Sequence, residues 1–464
     1  MTELVVHSQT APLTGSVRLP SDKSIGHRAL VFGALAHGTT RLRRVVLGGD
    51  HRSTMGALRA MGVAFDEEGE GQDRSLSIRG VGLFGLRPPS APLDCGNSGT
   101  TMRLLTGLLA GQEFASELVG DASLSRRPMM RVASPLRARG ARIEGTEDER
   151  TFRDAFGERR DIRPPLRIAG MREGEALGAL EYELPVASAQ VKSALLLSGL
   201  YAHGITALRE PLVTRDHTER FLLHLGVPLA TEGSVVALDP AGWNGQMKAF
   251  DMEIPGDLSA ASFILAAALL VEGSRVTARS VGTNRTRAGV LDLLRDMGGA
   301  VVVEPRGDEA GEPVADVHAS GSSLRAVRAA GELVSRAIDE IPIVAALAAC
   351  ARGETKITDA AELRVKESDR IASTLAMLRA FGVDAEESGD GMVVRGGAPL
   401  RPAEVDSRGD HRIAMAAAVL GLAVPPGSSG PTTTLVRDVD CIATSFPRFV
   451  GTLRALGATI DVRG

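Results

Sequence analysis

Residues 374–386 read TLAMLRAFGVDAE, and the same pattern returns five more times along the chain. The other copies are MGALRAMGVAF (55–65), VASPLRARGARI (132–143), ERFLLHLGVPL (219–229), VLDLLRDMGGAVV (290–302) and VGTLRALGATID (450–461). Each is a helical segment ending in Leu-x-x-x-Gly with an apolar stretch close behind. The second copy is degenerate, with Arg137 and Arg139 between Leu136 and Gly140. The glycines Gly62, Gly140, Gly226, Gly298, Gly382 and Gly457 suit helix C-caps in the left-handed conformation, and the apolar stretch after each suits a strand. An Ala/Leu-rich helix, a glycine and a β-branched strand precede each copy: ALAHGTTRL, LLAGQEFASEL, LYAHGITAL, LLVEGSRVTA, CARGETKIT and the looser VPPGSSGPTTTL. Helix, strand, helix, strand thus recurs at roughly 70 to 85 residues, too long for a solenoid unit. The chain reads as six small α/β subdomains.

The turn-rich stretch Leu238-Asp-Pro-Ala-Gly-Trp-Asn-Gly245 falls between the third and fourth copies. Two three-unit domains with a cleft between them is the economical architecture. A short first strand, Ser16 to Leu19, precedes the first unit and could pair with either half.

Composition narrows the function. The 464 residues are 44% hydrophobic and 24% charged, with a net charge of -4. The acidic balance argues against a nucleic-acid or anionic-membrane binder, and 3% aromatics leaves little for base stacking. Cys95, Cys350 and Cys441 are far apart with no metal spacing, which fits a reducing compartment. No export signal is visible at the N-terminus. The apolar run near Ala260 to Val271 is short of the ~20 residues that span a bilayer. A cytoplasmic protein is expected.

Chemistry-bearing residues gather at helix starts. Glu362-Leu-Arg-Val-Lys-Glu-Ser-Asp-Arg370 carries Arg364, Lys366 and Arg370 with Glu367 and Asp369 among them. Lys366 and Arg370, four apart, would share one face of a helix. Cations with a carboxylate between them suit a phosphorylated or carboxylated ligand that must exchange a proton. Lysine is scarce, with only Lys23, Lys192, Lys248, Lys356 and Lys366, so each is a candidate for a role arginine cannot fill. Pro20-Ser-Asp-Lys-Ser-Ile-Gly-His-Arg28 opens a helix and puts Lys23 and Ser24 where free N–H groups favour an anion; a plain helix cap is an equal reading. Asp94-Cys-Gly-Asn-Ser-Gly-Thr-Thr-Met-Arg103, Ser188-Ala-Gln190, Gly256-Asp-Leu-Ser259, Ser335-Arg-Ala-Ile-Asp-Glu-Ile-Pro342 and Asp410-His-Arg412 are further polar starts. Singly, each reads as a turn or a dipole partner. Gly80-Val-Gly-Leu-Phe-Gly85 matches a dinucleotide fingerprint, but LRPPSAP comes next and cannot be its helix.

Together the motifs LPSDKSIGHR, GNSGTTMR, RRPM around Arg127, SAQVKSA, IDEIP, LRVKESDR and DHRIAM, in this order from about Ser16 to the C-terminus, resemble the 5-enolpyruvylshikimate-3-phosphate synthase family. The resemblance implies a two-domain inverse α/β barrel-like fold, each domain three βαβαββ units. It assigns the N-terminal strand to the C-terminal domain, giving expected domains of 21–246 and of 1–20 plus 247–464, with crossings near Pro20 and Met247. It implies transfer of the enolpyruvyl group of phosphoenolpyruvate to the 5-hydroxyl of shikimate 3-phosphate, with no metal or organic cofactor, in a monomer with no nucleic-acid or membrane partner. By the same resemblance, Lys23 lies between the substrates, Ser24 and Arg28 hold the shikimate ring, and Ser188 and Lys366 hold its phosphate. Gln190 touches both substrates. Arg127, Arg370 and Arg412 grip phosphoenolpyruvate, with Gly99 offering close backbone approach. Asp339 accepts the hydroxyl proton, and Glu367, with Lys23, protonates the enol methylene. Gly99 also implies that the chain is a glyphosate target.

Three positions depart from the commonest family pattern: Ala189, Glu362, and Ala443-Thr-Ser445 where a lysine is usual; Arg215 is a candidate replacement cation. The nearest rival, enolpyruvyl transfer to a nucleotide sugar, opens with a Lys-Asn-Ala start and carries a loop cysteine; here the start is Asp-Lys-Ser and the loop from Ser123 to Arg127 has no cysteine. A six-unit nucleic-acid clamp would want a basic face.

Overall fold

The computed structural model describes residues 2–71, 74–427 and 432–464. The part of VPPGSSGPTTTL at 428–431 lies outside them.

The six Leu-x-x-x-Gly segments form six helix ends of one design. Gly62, Gly140, Gly226, Gly298, Gly382 and Gly457 all have φ between 76° and 108°, which glycine adopts without strain. In each, the amide after the glycine donates to the carbonyl of the leucine four residues before it; Val383 to Leu378 at 3.1 Å and Ala458 to Leu453 at 3.0 Å are examples. That is the Schellman closure, and it explains why leucine and glycine keep their spacing. An arginine three before the glycine often adds a bond to the next strand, as Arg379 does to the carbonyl of Ala385 at 2.9 Å and Arg454 to Ile460 at 2.7 Å.

Among the described residues this repeat gives six four-stranded sheets. A complete unit is Leu93–Asp94, helix Gly99–Leu109, Ser116–Val119, helix Met130–Ala138, and the hairpin Arg142–Asp154 with Gly157–Ala169. Its first two strands pair in parallel, Leu93 with Leu118, and the remaining pairings are antiparallel. The other five sheets share this plan.

The chain divides into two compact units: 1–22 with 255–308 and 312–464, and 23–254 with 309–311. Each holds three sheets. Strands are exchanged at the division. Strand Thr14–Arg18 pairs in parallel with Arg275–Gly282, Val17 opposite Ala278, so the N-terminal segment belongs to the larger-numbered unit. Strand Asp251–Glu253 pairs with His37–Arg43, Met252 opposite Leu42, which carries the second crossing a little beyond Met247. A further strand, Glu3–His7, which the sequence reading does not anticipate, inserts between Thr433–Arg437 and Ile460–Arg463 and completes the last sheet.

Within each unit the most apolar helices are the most buried. In the unit containing the C-terminus these are Leu258–Leu270, Ile341–Cys350 and His411–Leu422, which pack on one another. In the other they are Lys23–Leu35, Gly99–Leu109 and Ala189–Gly199. Helices that are apolar all round are stable only when covered on every side, so sheets take the outside and helices the core. No helix of the described residues is long and apolar enough to cross a membrane.

Candidate functional site

A buried helix tolerates polar residues only at its ends, and that is where the motifs fall. In the unit containing the C-terminus, they converge on one guanidinium. Arg370 opens helix Arg370–Ala380, whose cap Asp369 accepts from the amide of Ala372 at 3.1 Å. Its side chain is 1% exposed. Nε donates to Asp410 Oδ2 at 2.9 Å, Nη1 to Asp339 Oδ1 at 3.1 Å and Nη2 to Glu367 Oε2 at 2.6 Å. Burial alone would weaken this charge, but Glu367, Asp410 and Asp339 outweigh it and raise the pKa above the ordinary arginine value.

The remaining groups hang on those carboxylates. Asp410 caps helix His411–Leu422, accepting from the Arg412 amide at 3.0 Å, and takes the Ser368 hydroxyl at 3.0 Å. Burial favours its neutral form; Arg370 overrides this and holds the carboxyl below its usual range. Lys366 Nζ lies 3.7 Å from Asp339 Oδ1, and Arg412 Nη1 donates to the Asp339 carbonyl at 3.0 Å. Asp339, Glu367 and Asp410 therefore stand among Lys366, Arg370 and Arg412, three acids against three cations. Lys366 and Arg370 do not share a helical face as expected: Lys366 ends a 3-10 turn at Ala361–Val365 and the helix begins at Arg370, so the two meet through Asp339. Glu340, the neighbour of Asp339, takes Arg287 Nη1 on both oxygens at 2.9 Å and also lies 3.7 Å from Arg412 Nη1. Ser259 bonds the same pair. The Gly256–Ser259 start thereby braces the Glu340 start.

The other unit assembles the N-terminal motifs. Lys23 opens its helix with Nζ 2.5 Å from Asp50 Oδ2. Arg28, 3% exposed, donates to Thr218 Oγ1 at 2.8 Å, Ser193 Oγ at 2.7 Å and the Ser24 carbonyl at 2.9 Å. Gly99 begins the next helix under the Ser98 cap, whose hydroxyl accepts from the Thr101 amide at 3.1 Å. A Cβ on Gly99 would lie 2.7 Å from Arg103 Nη1 and 2.9 Å from Arg127 Nη1, so the glycine admits two guanidinium groups to the helix start. Arg127 is held by Asn97 Oδ1 at 2.9 Å. Arg103 donates to Gln190 Oε1 at 2.7 Å, and Gln190 Nε2 donates to Thr100 Oγ1 at 2.8 Å. Ser188 caps helix Ala189–Gly199, accepting from the Val191 amide at 3.5 Å.

Thus Lys23, Ser24, Arg28, Gly99, Arg127, Ser188 and Gln190 belong to one unit, and Asp339, Lys366, Glu367, Arg370 and Arg412 to the other. Sequence reasoning missed Asp410 as the partner of Arg370, Arg103 as the link between Gly99 and Gln190, and Asp50 as the partner of Lys23. Asp410 and Arg103 lie inside recognisable motifs; Asp50 carries no motif at all. Of the other lysines, Lys192 is buried between Glu210 and Glu219 at 2.7 and 2.6 Å. Burial pushes Cys95 and Cys350 up to about 12 and Cys441 up to about 11, so none is a thiolate near neutral pH.

Residues 7–453 match the family described as EPSP synthase (3-phosphoshikimate 1-carboxyvinyltransferase). A 3-phosphoshikimate 1-carboxyvinyltransferase of Methylococcus capsulatus is 48% identical over 450 residues, covering 97% of this chain and 96% of the relative. One from Geobacter sp. strain M21 is 48% identical over 440 residues, covering 95% and 96%. Among solved structures, EPSP synthase from Acinetobacter baumannii superposes with a TM-score of 0.84 at 40% identity over 100% of both chains. The enolpyruvyl transferase NikO from Streptomyces tendae, with a TM-score of 0.72 at 20% identity over 100% of this chain and 99% of that one, shares the fold.

Proposed function

The chain belongs to the EPSP synthase family, and from that premise we propose that the helix starts of both units bind and activate its two substrates. The chain transfers the enolpyruvyl group of phosphoenolpyruvate to the 5-hydroxyl of shikimate 3-phosphate and releases phosphate. The inverse α/β fold of six units carries that activity. The observation that supports the site is the Arg370 cage, which ties Asp339 and Glu367 to one fixed cation.

Addition followed by elimination needs one group to take a proton and another to give one. Asp339 takes the proton of the 5-hydroxyl as its oxygen bonds to C2 of phosphoenolpyruvate. Glu367, with Lys23, delivers a proton to C3, turning the methylene into a methyl. The adduct then loses a methyl proton, the C–O bond to phosphate breaks, and the double bond re-forms. Two phosphates and two carboxylates demand fixed cations. Lys23, Gly99, Arg127, Gln190, Arg370 and Arg412 take phosphoenolpyruvate. Lys23, Ser24, Arg28, Ser188, Gln190, Asp339 and Lys366 take shikimate 3-phosphate. With three acids already matching three cations, an arriving anion adds negative charge beside Glu367 and favours its neutral, proton-bearing form.

The reaction proceeds in this reading in a cytoplasmic monomer, without nucleic acid, metal or organic cofactor; the net charge of -4 supports the lack of a nucleic-acid partner. The test is phosphate release from phosphoenolpyruvate. It should require shikimate 3-phosphate, and release with a nucleotide sugar in its place would overturn the assignment.

A further inference from the structure

His51 stands outside all of the sequence motifs. It comes directly after Asp50 on helix Gly49–Ala60 and is 4% exposed. Its Nε2 lies 3.0 Å from the carbonyl oxygen of Lys23. A carbonyl only accepts, so Nε2 carries the ring proton and donates. His27 packs beside the ring with centroids 4.7 Å apart. Burial, the largest effect, with the Lys23 ammonium holds the imidazole below its ordinary pKa against the Lys23 carbonyl, the Asp50 carboxylate and the Val46 backbone, so the ring is neutral near pH 7.

The ring has a prepared seat. A Cβ on residue 26 would lie 2.6 Å from His51 Nε2 and 3.2 Å from Cε1. Gly26 is not among the glycines with positive φ, so its backbone does not require glycine. Glycine in a helix is less stable than alanine, and here the close approach of the His51 ring accounts for its use.

We infer that His51 is a positioning residue for Lys23. Asp50 holds the Lys23 ammonium and His51 holds its carbonyl, so two adjacent residues of one helix grip Lys23 at both ends. Gly26 makes the grip possible. The inference rests on Lys23 meeting the substrates as proposed above.

The experiment is a pair of double-mutant cycles with steady-state kinetics and thermal melting. His51→Val and Gly26→Ala should each lower kcat/KM by on the order of tenfold, moving KM for phosphoenolpyruvate as well as kcat, because a displaced lysine loses alignment. The double variant should be no worse than either single, since valine leaves room for the added methyl. His51→Gln, which keeps an N–H donor, should recover most of the loss. In a Lys23→Met background, His51→Val should change neither the residual rate nor the melting shift given by shikimate 3-phosphate. Losses that multiply in the Gly26/His51 double, or parental kinetics in His51→Val, would overturn the inference while leaving Lys23 in place. A fall in melting temperature with unchanged KM would mark His51 as merely structural and overturn it too. Parental turnover in Lys23→Met would instead overturn the reading of Lys23 itself.

Discussion

Replacing Glu367 by glutamine removes the proposed proton carrier yet keeps an oxygen for Arg370 Nη2, which now finds one at 2.6 Å. Arg370 also retains Asp410 at 2.9 Å and Asp339 at 3.1 Å, so its position should survive. The Glu367 side chain is 28% exposed, and weakening one of Arg370's three partners there should cost only about 1–2 kcal/mol of stability. Proton delivery is another matter. General acid catalysis contributes roughly 10²–10⁴-fold, or about 3–5 kcal/mol in the barrier. Glu367→Gln should therefore lose 10²–10⁴ in kcat, on this general-acid scale, with KM for phosphoenolpyruvate changed by less than about threefold. Glu367→Ala should lose as much in kcat and also raise that KM, because Arg370 Nη2 then keeps only its 3.5 Å bond to Asp410 Oδ1. Initial rates of phosphate release with both substrates saturating give kcat. Deuterium uptake into the methylene of phosphoenolpyruvate, run in heavy water with shikimate 3-phosphate present, isolates the proton step. Turnover of Glu367→Gln within tenfold of the parent, with undiminished deuterium uptake, would remove Glu367 from the mechanism.

Burial holds His411 down at about 4, with Arg412 the next cause, so unfolding takes up a proton between there and the ordinary value of 6.5. Stability from this group is complete above pH 6.5 and is lost as pH falls toward 4, by up to about 3 kcal/mol; His411→Asn should flatten the melting temperature between pH 7 and pH 5, measured by circular dichroism. Gly99→Ala should raise the glyphosate inhibition constant more than the KM for phosphoenolpyruvate in rate assays, although both rise, since the methyl meets Arg103 and Arg127 at 2.7 and 2.9 Å; a parent already insensitive at millimolar inhibitor refutes it. Lys192→Met should destabilise the protein by about 3–5 kcal/mol in urea titration by leaving Glu210 and Glu219 buried without their cation, and Glu210→Gln with Glu219→Gln should restore most of it.

How far the sequence reaches depends on the range of the interaction. The six helix ends are legible because their closure is local: leucine, three residues, glycine, and a bond from the amide after the glycine back to the leucine carbonyl. Polar helix starts are legible for the same reason, since Asp410 and Ser98 bond amides two or three residues on. The insertion of Glu3–His7 into the last sheet is not, because Val5 meets Leu435 and Asp461, over 400 residues away. Nor are the pairings Arg103 to Gln190 and Lys23 to Asp50, whose spacing obeys no helical or strand period. The four-residue spacing of Lys366 and Arg370 misled for a related reason: Asp369 starts a new helix between them, and a cap resets the face that a spacing argument assumes.

The repeat also explains why the chemistry sits where it does. Three buried helices per unit leave their N-terminal turns as the polar ends of an apolar core. In one unit the Leu258, Ile341 and His411 starts are already tied together, Ser259 to Glu340 and Arg412 to Glu340 at 3.7 Å. In the other, Thr100 bonds Gln190 and Arg28 bonds Ser193, tying three starts likewise. Each start carries a partial positive charge of roughly half a unit, so a triplet attracts anions before any side chain is counted. Arginines added there would repel one another in an empty site. The Arg370 cage answers that: Asp410 is fully buried and balances the charge permanently, whereas Glu367 is more exposed and Asp339 lies between them. The balancing carboxylates nearest solvent are thus the two proposed to move protons, so the groups that keep the empty site folded are also those an incoming anion perturbs most.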